Sequence, residues 1–309
     1  MSESAPMLAG LRYVLVTPAR NEEDFLELTI RSVVEQSARP LRWVIVSDGS
    51  TDRTDEMVLA YAARHPWIEL VRMPARPERH FGGKVACFNA GYEKVRALDF
   101  DVIGSLDADL SFDEGYFAFL LGHLAENPRL GLTGTPFVEN GITYDFRYSS
   151  VEHVSGACQL FRRECYESIG GYVSVKGGGI DTIAVLSARM QGWETRTWLE
   201  KTCLHHRPMG AGMSKSAVAA RFKLGQTHYR EGFHPLWLTL RSIFQAGRKP
   251  YVLGGMAIFC GYFWAWVRRF DQPMGPALVA FQRCDQMRRL RALIFRSAGL
   301  TRPPTPSSV

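Results

Sequence analysis

Two carboxylates one residue apart, Asp107 and Asp109, carry the clearest chemical potential in this sequence. They lie in the run 101–112 (DVIGSLDADLSF), where Val102, Ile103 and Leu106 make an apolar stretch of strand length. An apolar run stopped by such a turn reads as a buried strand, and ligands of open α/β sheets collect beyond the carboxyl ends of their strands. Carboxylates this close repel one another, so a hard divalent cation or a sugar hydroxyl is their natural partner, and oxygen ligands suit Mg²⁺ or Mn²⁺. Taken alone, the pattern equally fits an ordinary solvated turn.

The elements that must position these acids alternate strand and helix. Residues 12–17 (RYVLVT) form a β-rich run broken by Pro18. Residues 21–36 place Leu26, Ile30, Val33 and Val34 at helical spacing, with Glu22, Glu23 and Asp24 in a first turn where the helix dipole favours acids. A second strand at 42–47 (RWVIVS) ends in Asp48, Gly49 and Ser50, and Thr51 or Asp52 caps the helix that follows. A third strand at 67–71, a helix at 84–97 and a fourth strand at 102–106 complete the first half. Strands separated by helices of this length imply parallel crossovers and an open sheet. The loops after strands one, two and four then share one edge, which carries Pro18, Asn21 and Glu22, then Asp48, Gly49 and Asp52, then Asp107 and Asp109.

Composition limits the classes to consider. A chain of 309 residues can bury a full core as one large domain or two small ones. Six cysteines without any C-x-x-C spacing argue for a reducing compartment rather than a disulfide framework, and the N-terminal residues carry no signal-peptide pattern. From Arg221 onward 14 Lys or Arg face three acids, a net +11, whereas the rest of the chain is net −5. A basic tail on a mildly acidic body suggests an anionic surface as partner, and a membrane is expected rather than nucleic acid.

The stretch VTPARNEEDFLELTIRSVVEQSARPLRWVIVSDGSTDRT resembles the N-terminal signature of family 2 glycosyltransferases, nucleotide-sugar-dependent enzymes of the GT-A fold. Pro18, Asn21, Glu22, Ser32, Val33, Gln36, Val46 and the run 48–52 (DGSTD) carry the likeness, followed by Gly83, Lys84, Val85, Ala86, Asn89 and Gly91, and by Asp107 and Asp109 as a D-x-D metal motif. Residues 156–172 (GACQLFRRECYESIGGY) resemble an acceptor-side segment, so the likeness covers roughly 12–206. It implies that Asp48 accepts the N–H of the nucleotide base, that Glu22 meets the ribose or base edge, and that Lys84 meets the nucleotide or its phosphates. It also implies that Asp109 holds a metal bridging the two phosphates, with Asp107 on the ribose or assisting the metal. The residues themselves leave an Asx turn open for Asp48, a dipole-stabilising acid for Glu22 and a solvated lysine for Lys84. Gly49 allows either a close approach to a ligand or a tight turn.

An inverting transfer needs one base beside the acceptor hydroxyl. The family supplies it as the Asp of a Glu-Asp pair about eleven residues before a Gly-aromatic turn. Gly192 and Trp193 set that frame here, which assigns the base to Asp181 and puts Ile180 where the family has Glu. Asp181 equally suits an N-cap for a helix over 182–191. Downstream, Cys203, His205 and His206 are too tightly spaced for a tetrahedral zinc site. The resemblance offers His205 or His206 to complete the metal shell, while strand alternation points the two to opposite faces. Arg207 is placed to meet a diphosphate, and 210–216 (GAGMSKS) reads as a lid or a plain linker.

Beyond residue 217 that likeness stops. Residues 251–267 (YVLGGMAIFCGYFWAWV) are uncharged and flanked by Arg248, Lys249, Arg268 and Arg269. Three placements fit: a short membrane helix, a re-entrant or interfacial helix, and a buried hairpin helix; basic flanks on both sides favour in-plane insertion. The resulting expectation is an α/β GT-A domain at 1–215, with an open, mainly parallel sheet flanked by helices, and a helical, basic, partly hydrophobic extension at 216–309. It moves a sugar from a nucleotide sugar, UDP-sugar favoured, to a lipid-linked or polysaccharide acceptor with Mn²⁺ or Mg²⁺, at the cytoplasmic face of the cell membrane. Two alternatives are a catalytically silent nucleotide-sugar-binding subunit, kept open by Ile180, and a nucleotidyltransferase. The latter lacks its basic Gly-rich loop after strand one, since that loop reads TPARNEED.

Overall fold

The computed structural model describes residues 10–74, 81–139, 141, 143, 150–175, 178–207 and 216–297. The chain divides into two compact units, residues 1–209 and 210–309. The lid expected at 210–216 lies, apart from Ser216, outside the described residues.

The first unit runs β1 (Tyr13–Ala19), α1 (Leu26–Val34), β2 (Arg42–Ser47), α2 (Thr54–Ala62), β3 (Ile68–Arg72), α3 (Phe81–Val95), β4 (Val102–Leu106) and β5 (Leu110–Ser111). It continues with α4 (Tyr116–Glu126), β6 (Leu130–Gly134), β7 (Phe137–Val138), β8 (Cys158–Arg162), α5 (Arg163–Ser168), α6 (Ile180–Met190), β9 (Glu194–Thr197) and β10 (Cys203–His205). Among the described residues the main sheet has the order β3-β2-β1-β4-β8-β6-β9, and β5, β10 and β7 form a small second sheet. The pairs β1/β2, β1/β4, β2/β3 and β6/β9 are parallel, while β8 runs antiparallel to both neighbours. The expected open, mainly parallel sheet is therefore present. Its first strands are buried on both faces, which is why β1, β2 and β4 read as continuous apolar runs rather than alternating ones. The order turns at β1, with β2 and β3 on one side and β4 on the other, and a turn of that kind opens a ligand crevice at the strand ends.

One boundary differs from the sequence reading for a local reason. The first helix begins at Leu26 rather than at residue 21, because Asn21 is left-handed (φ 54°) and its side chain bonds the neighbouring loop instead of starting a helix. Glu22 thus precedes α1 and is not a first-turn acid.

The packing of α3 on the sheet also has a sequence cause. A Cβ at Gly91 would lie 2.5 Å from Val16 Cγ1 and 3.1 Å from Val46 Cγ2, so a glycine here lets the helix settle onto β1 and β2. Because the neighbours are fully buried, Gly91→Ala is expected to lower stability by roughly 1–3 kcal/mol through overpacking, read as a lower thermal midpoint by circular dichroism.

The second unit comprises α7 (Ala217–Arg230), α8 (Pro235–Ala246), α9 (Val252–Val267) and α10 (Pro276–Ser297). Leu238, Ile258 and Tyr262 form its buried centre, supported by Leu224, Tyr229 and Phe233. On α9, Gly254, Ile258, Gly261, Tyr262 and Ala265 are buried, whereas Val252, Leu253, Met256, Trp264, Trp266 and Val267 are exposed. Sixteen residues rise about 24 Å, short of a bilayer core of about 30 Å. No helix among the described residues is long and apolar enough to cross a membrane.

Candidate active site

The loops after β1 and β2 are stitched together by side chains on backbone. Asn21 Oδ1 accepts from Thr51 N at 2.9 Å, Ser50 Oγ from Asn21 N at 3.2 Å, and Thr54 Oγ1 from Glu22 N at 2.8 Å. Asp52 receives Glu23 N on one oxygen and Thr54 N on the other, each at 3.0 Å. Burial opposes the charge on Asp52, but the Thr54 hydroxyl together with these backbone donors outweighs it and holds its carboxyl below the ordinary value. Asn21 therefore acts as a clasp between loops, while Pro18 lies in β1 opposite Val46. Within this frame Asp48 is 8% exposed, anchored through its N–H to Ala19 O at 2.8 Å, with Arg20 Nη1 3.7 Å from its carboxylate. Gly49 next to it is left-handed (φ 65°).

At the end of β4, Asp107 pairs with Lys84 in the first turn of α3, and Lys84 Nζ also reaches Gly156 O at 3.3 Å. Burial works against the Lys84 charge, yet Asp107, with Asp181 and Asp109 nearby, overcomes it and keeps the ammonium above the ordinary lysine value. Burial and the Asp109 charge push the Asp107 carboxyl upward, while Lys84 pulls it back. Lys84 is thus not a solvated lysine, because its ammonium is paired with Asp107 and bonded to Gly156 O.

The second, small sheet fixes Asp109. β5 and β10 pair antiparallel, with His205 opposite Leu110, and His206 N donates to Asp109 O at 2.9 Å. His205 Nε2 lies 3.6 Å from Asp109 Oδ1, and its Nδ1 lies 3.5 Å from Glu139 Oε2. His206 faces elsewhere: its Nε2 is 2.8 Å from Ser111 Oγ and its ring stacks on Phe25. Alternation therefore brings His205, and not His206, to the acids. Arg207 pairs with Glu22 and has its Nε 3.8 Å from Asp109 Oδ2. Cys203 is buried with its Sγ toward Pro136 O, away from any zinc-like cluster.

Asp181 stands in the first turn of α6. Gly179, left-handed at φ 84°, holds the N-cap position without a side-chain bond, so Asp181 is not the cap. Its Oδ2 instead accepts from Gly156 N at 3.2 Å. Ile180 is 5% exposed, so the position where the family has Glu is filled by a buried apolar side chain.

Sequence reasoning passed over Arg20 and Glu139, and took Gly156 only as the first residue of the acceptor-side segment. Arg20 adjoins Asn21 and was within reach of a closer reading. Glu139 follows a two-residue strand and belongs to no motif, so only the pairing of β7 with β10 reveals it.

The donors at Asp109 suit a divalent cation that takes further ligands from its substrate. Asp109 and His205 approach without a hydrogen bond, His205 Nδ1 is buried with no hydrogen-bond partner, and Glu139 stands behind it as a carboxylate behind a ligating imidazole would. Among the described residues no three His, Cys, Asp or Glu side chains converge as a ready cage. Mg²⁺ sites are commonly of this sparse kind, with one or two carboxylates and the rest from phosphates and water.

Comparison with known proteins bears on the same elements. The profile of Glycosyl transferase family 2 matches residues 14–172. Poly-beta-1,6-N-acetyl-D-glucosamine synthase of Staphylococcus aureus (strain MSSA476) is 25% identical over 149 residues, 48% of this chain and 34% of that protein, so the chain matches about a third of the length of such relatives. The mannosyltransferase PcManGT from Pyrobaculum calidifontis, solved with GDP-Man and Mn²⁺, superposes with a TM-score of 0.55 at 18% identity, covering 94% of this chain and 81% of that one. S. aureus TarS 1–349 with UDP-GlcNAc gives 0.54 at 12% identity, over 85% and 74%. These solved structures share the GT-A fold. The profile spans β1 through β8, taking in the stitched loops, Lys84 and both strand-end acids, and the chain belongs to glycosyl transferase family 2.

Proposed function

We propose that the cleft at the ends of β1, β2 and β4 binds a nucleoside diphosphate sugar and transfers its sugar, with inversion, to a hydroxyl of a lipid-linked or polysaccharide glycan. The observation that carries this reading is the Lys84–Asp107 ion pair at the end of β4, which Gly156 joins to Asp181 by accepting from Lys84 Nζ and donating to Asp181 Oδ2. Asp48 accepts the base N–H and Glu22 meets the ribose. Lys84 and Arg207 place positive charge against the diphosphate, Arg207 leaving Glu22 to do so. Asp109 and His205 would hold Mn²⁺ or Mg²⁺, which neutralises charge on the departing diphosphate. Asp181 takes the proton of the acceptor hydroxyl as its oxygen bonds to the anomeric carbon and the bond to the diphosphate breaks. UDP-GlcNAc with TarS and GDP-Man with the mannosyltransferase support a nucleotide sugar as donor, and the polysaccharide synthase supports a glycan acceptor.

A thermal-shift screen of UDP-GlcNAc, UDP-glucose and GDP-mannose, with and without Mn²⁺, tests the reading. A UDP-sugar with Mn²⁺ is expected to give the largest rise, since ligand at 100 times its Kd adds about 2.7 kcal/mol. No rise with any of them would overturn the reading.

The second unit supports action at the cytoplasmic face of a membrane. Its α9 exposes Leu253, Met256, Trp266 and Val267 between Arg248 and Lys249 at one end and Arg268 and Arg269 at the other. Buried apolar area contributes about 25 cal/mol per Å², and each basic residue near an anionic leaflet about 1 kcal/mol. The full chain is expected to stay with anionic vesicles through a high-salt wash and to come off in detergent. Met256→Glu combined with Trp266→Glu should release it into the salt wash. A chain that floats free of vesicles at low salt would contradict this placement.

A further inference from the structure

We propose that Gly156 is a positioning residue that sets the catalytic base relative to the acids of the donor site. The inference rests on the assignment of Asp181 as base and adds what holds it there. The backbone groups of two consecutive residues, Gly156 and Ala157, receive three site residues. Gly156 N donates to Asp181 Oδ2 at 3.2 Å, Gly156 O accepts from Lys84 Nζ at 3.3 Å, and Ala157 O accepts from Asp107 N at 2.9 Å. The helix carrying the base, the helix carrying Lys84 and the loop carrying Asp107 therefore refer to one segment.

That segment is itself held firmly. Val154 O accepts from Gln159 Nε2 at 3.0 Å, and Ser155 Oγ from Ala157 N at 3.3 Å. Cys158, which follows, starts β8 and pairs with Leu106 at the end of β4. Strain at 156 thus meets fixed surroundings on both sides.

The contact needs a residue with no side chain. A Cβ at 156 would lie 3.0 Å from Asp181 Cβ, 3.2 Å from its Cγ and 3.2 Å from its Oδ2. Such distances force a shift of a few tenths of an ångström, and the side chain lying against the new methyl is that of the base. With Oδ2 engaged by the Gly156 N–H, the carboxylate is oriented and its Oδ1 is left for the acceptor proton. Misplacement of a catalytic group by about 1 Å can lower a rate about 100-fold, so a smaller shift with a weakened hydrogen bond is expected to lower it roughly tenfold.

The test uses the full-length protein and whichever of UDP-GlcNAc, UDP-glucose or GDP-mannose gives the largest thermal shift, with Mn²⁺ and water as acceptor. Gly156→Ala is expected to lower kcat for donor hydrolysis roughly tenfold while donor KM and the calorimetric donor affinity stay within about twofold. Unchanged kcat, or kcat and affinity falling together, would overturn the proposal. Asp181→Asn is assayed alongside: if it turns over normally, the assignment of the base has failed, whereas a dead Asp181→Asn with an unimpaired Gly156→Ala refutes the positioning role alone. Should Gly156→Ala not fold, the amide resonance of Gly156 in ¹⁵N-glycine-labelled protein decides. It should move upfield on Asp181→Asn as its acceptor loses charge, and an unmoved resonance would overturn the proposal.

Discussion

Replacing Asp181 with Asn is expected to lower sugar transfer by roughly 10²–10⁴-fold, the range that a positioned general base contributes, with donor affinity within about twofold of wild type. The amide has nearly the same shape, and its oxygen still accepts from Gly156 N, so α6 keeps its start at Ile180 and Gly179 keeps its N-cap position. What is lost is the basic oxygen. The adjoining position, Ile180, is buried and apolar, so it offers no carboxylate to take over the role. Steady-state release of the nucleoside diphosphate, paired with calorimetric donor binding, separates the two effects. Wild-type turnover in Asp181→Asn would remove the residue from the chemistry.

The second large effect falls on Asp109. Asp109→Asn is expected to weaken Mn²⁺-dependent UDP binding by at least roughly 10- to 100-fold, the loss that removal even of a supporting partner of a metal ligand produces. Binding measured without metal should change little. The difference between the two titrations is the informative quantity, because Asp109 also lies 3.8 Å from Arg207 Nε, and loss of that ion pair alone would act with or without Mn²⁺. Equal UDP affinity of wild type and variant at saturating Mn²⁺ would show that Asp109 does not hold the metal.

How much of this was legible in the sequence follows from the range of the interactions involved. β1, β2 and β4 were readable because central parallel strands are apolar on both faces, and their ends were marked by Pro18, Asp48 and Asp107. The start of α1 was misplaced because the pull of Asn21 toward Thr51 comes from a loop 30 residues away, which local periodicity does not register. That Asp181 is not the cap of α6, the competing reading of its position, was hidden for a similar reason. A left-handed glycine already ends the preceding loop, and the side chain is drawn instead to residue 156. His205 and His206 were indistinguishable by type, and the β5/β10 register separates them by aligning one with Leu110 beside Asp109. In the second unit the uncharged run 251–267 was visible, but its division into a buried stripe and an exposed face depends on how α9 meets its neighbouring helices.

The most direct test of the account is release of nucleoside diphosphate by the purified full-length protein, offered UDP-GlcNAc, UDP-glucose and GDP-mannose in turn with Mn²⁺. The account predicts slow donor hydrolysis with at least one of them, dependent on metal and absent from Asp181→Asn. Tight donor binding by the wild type with no release from any donor, even with a glycan or lipid-linked acceptor added, would contradict it and leave a nucleotide-sugar-binding protein without transferase activity.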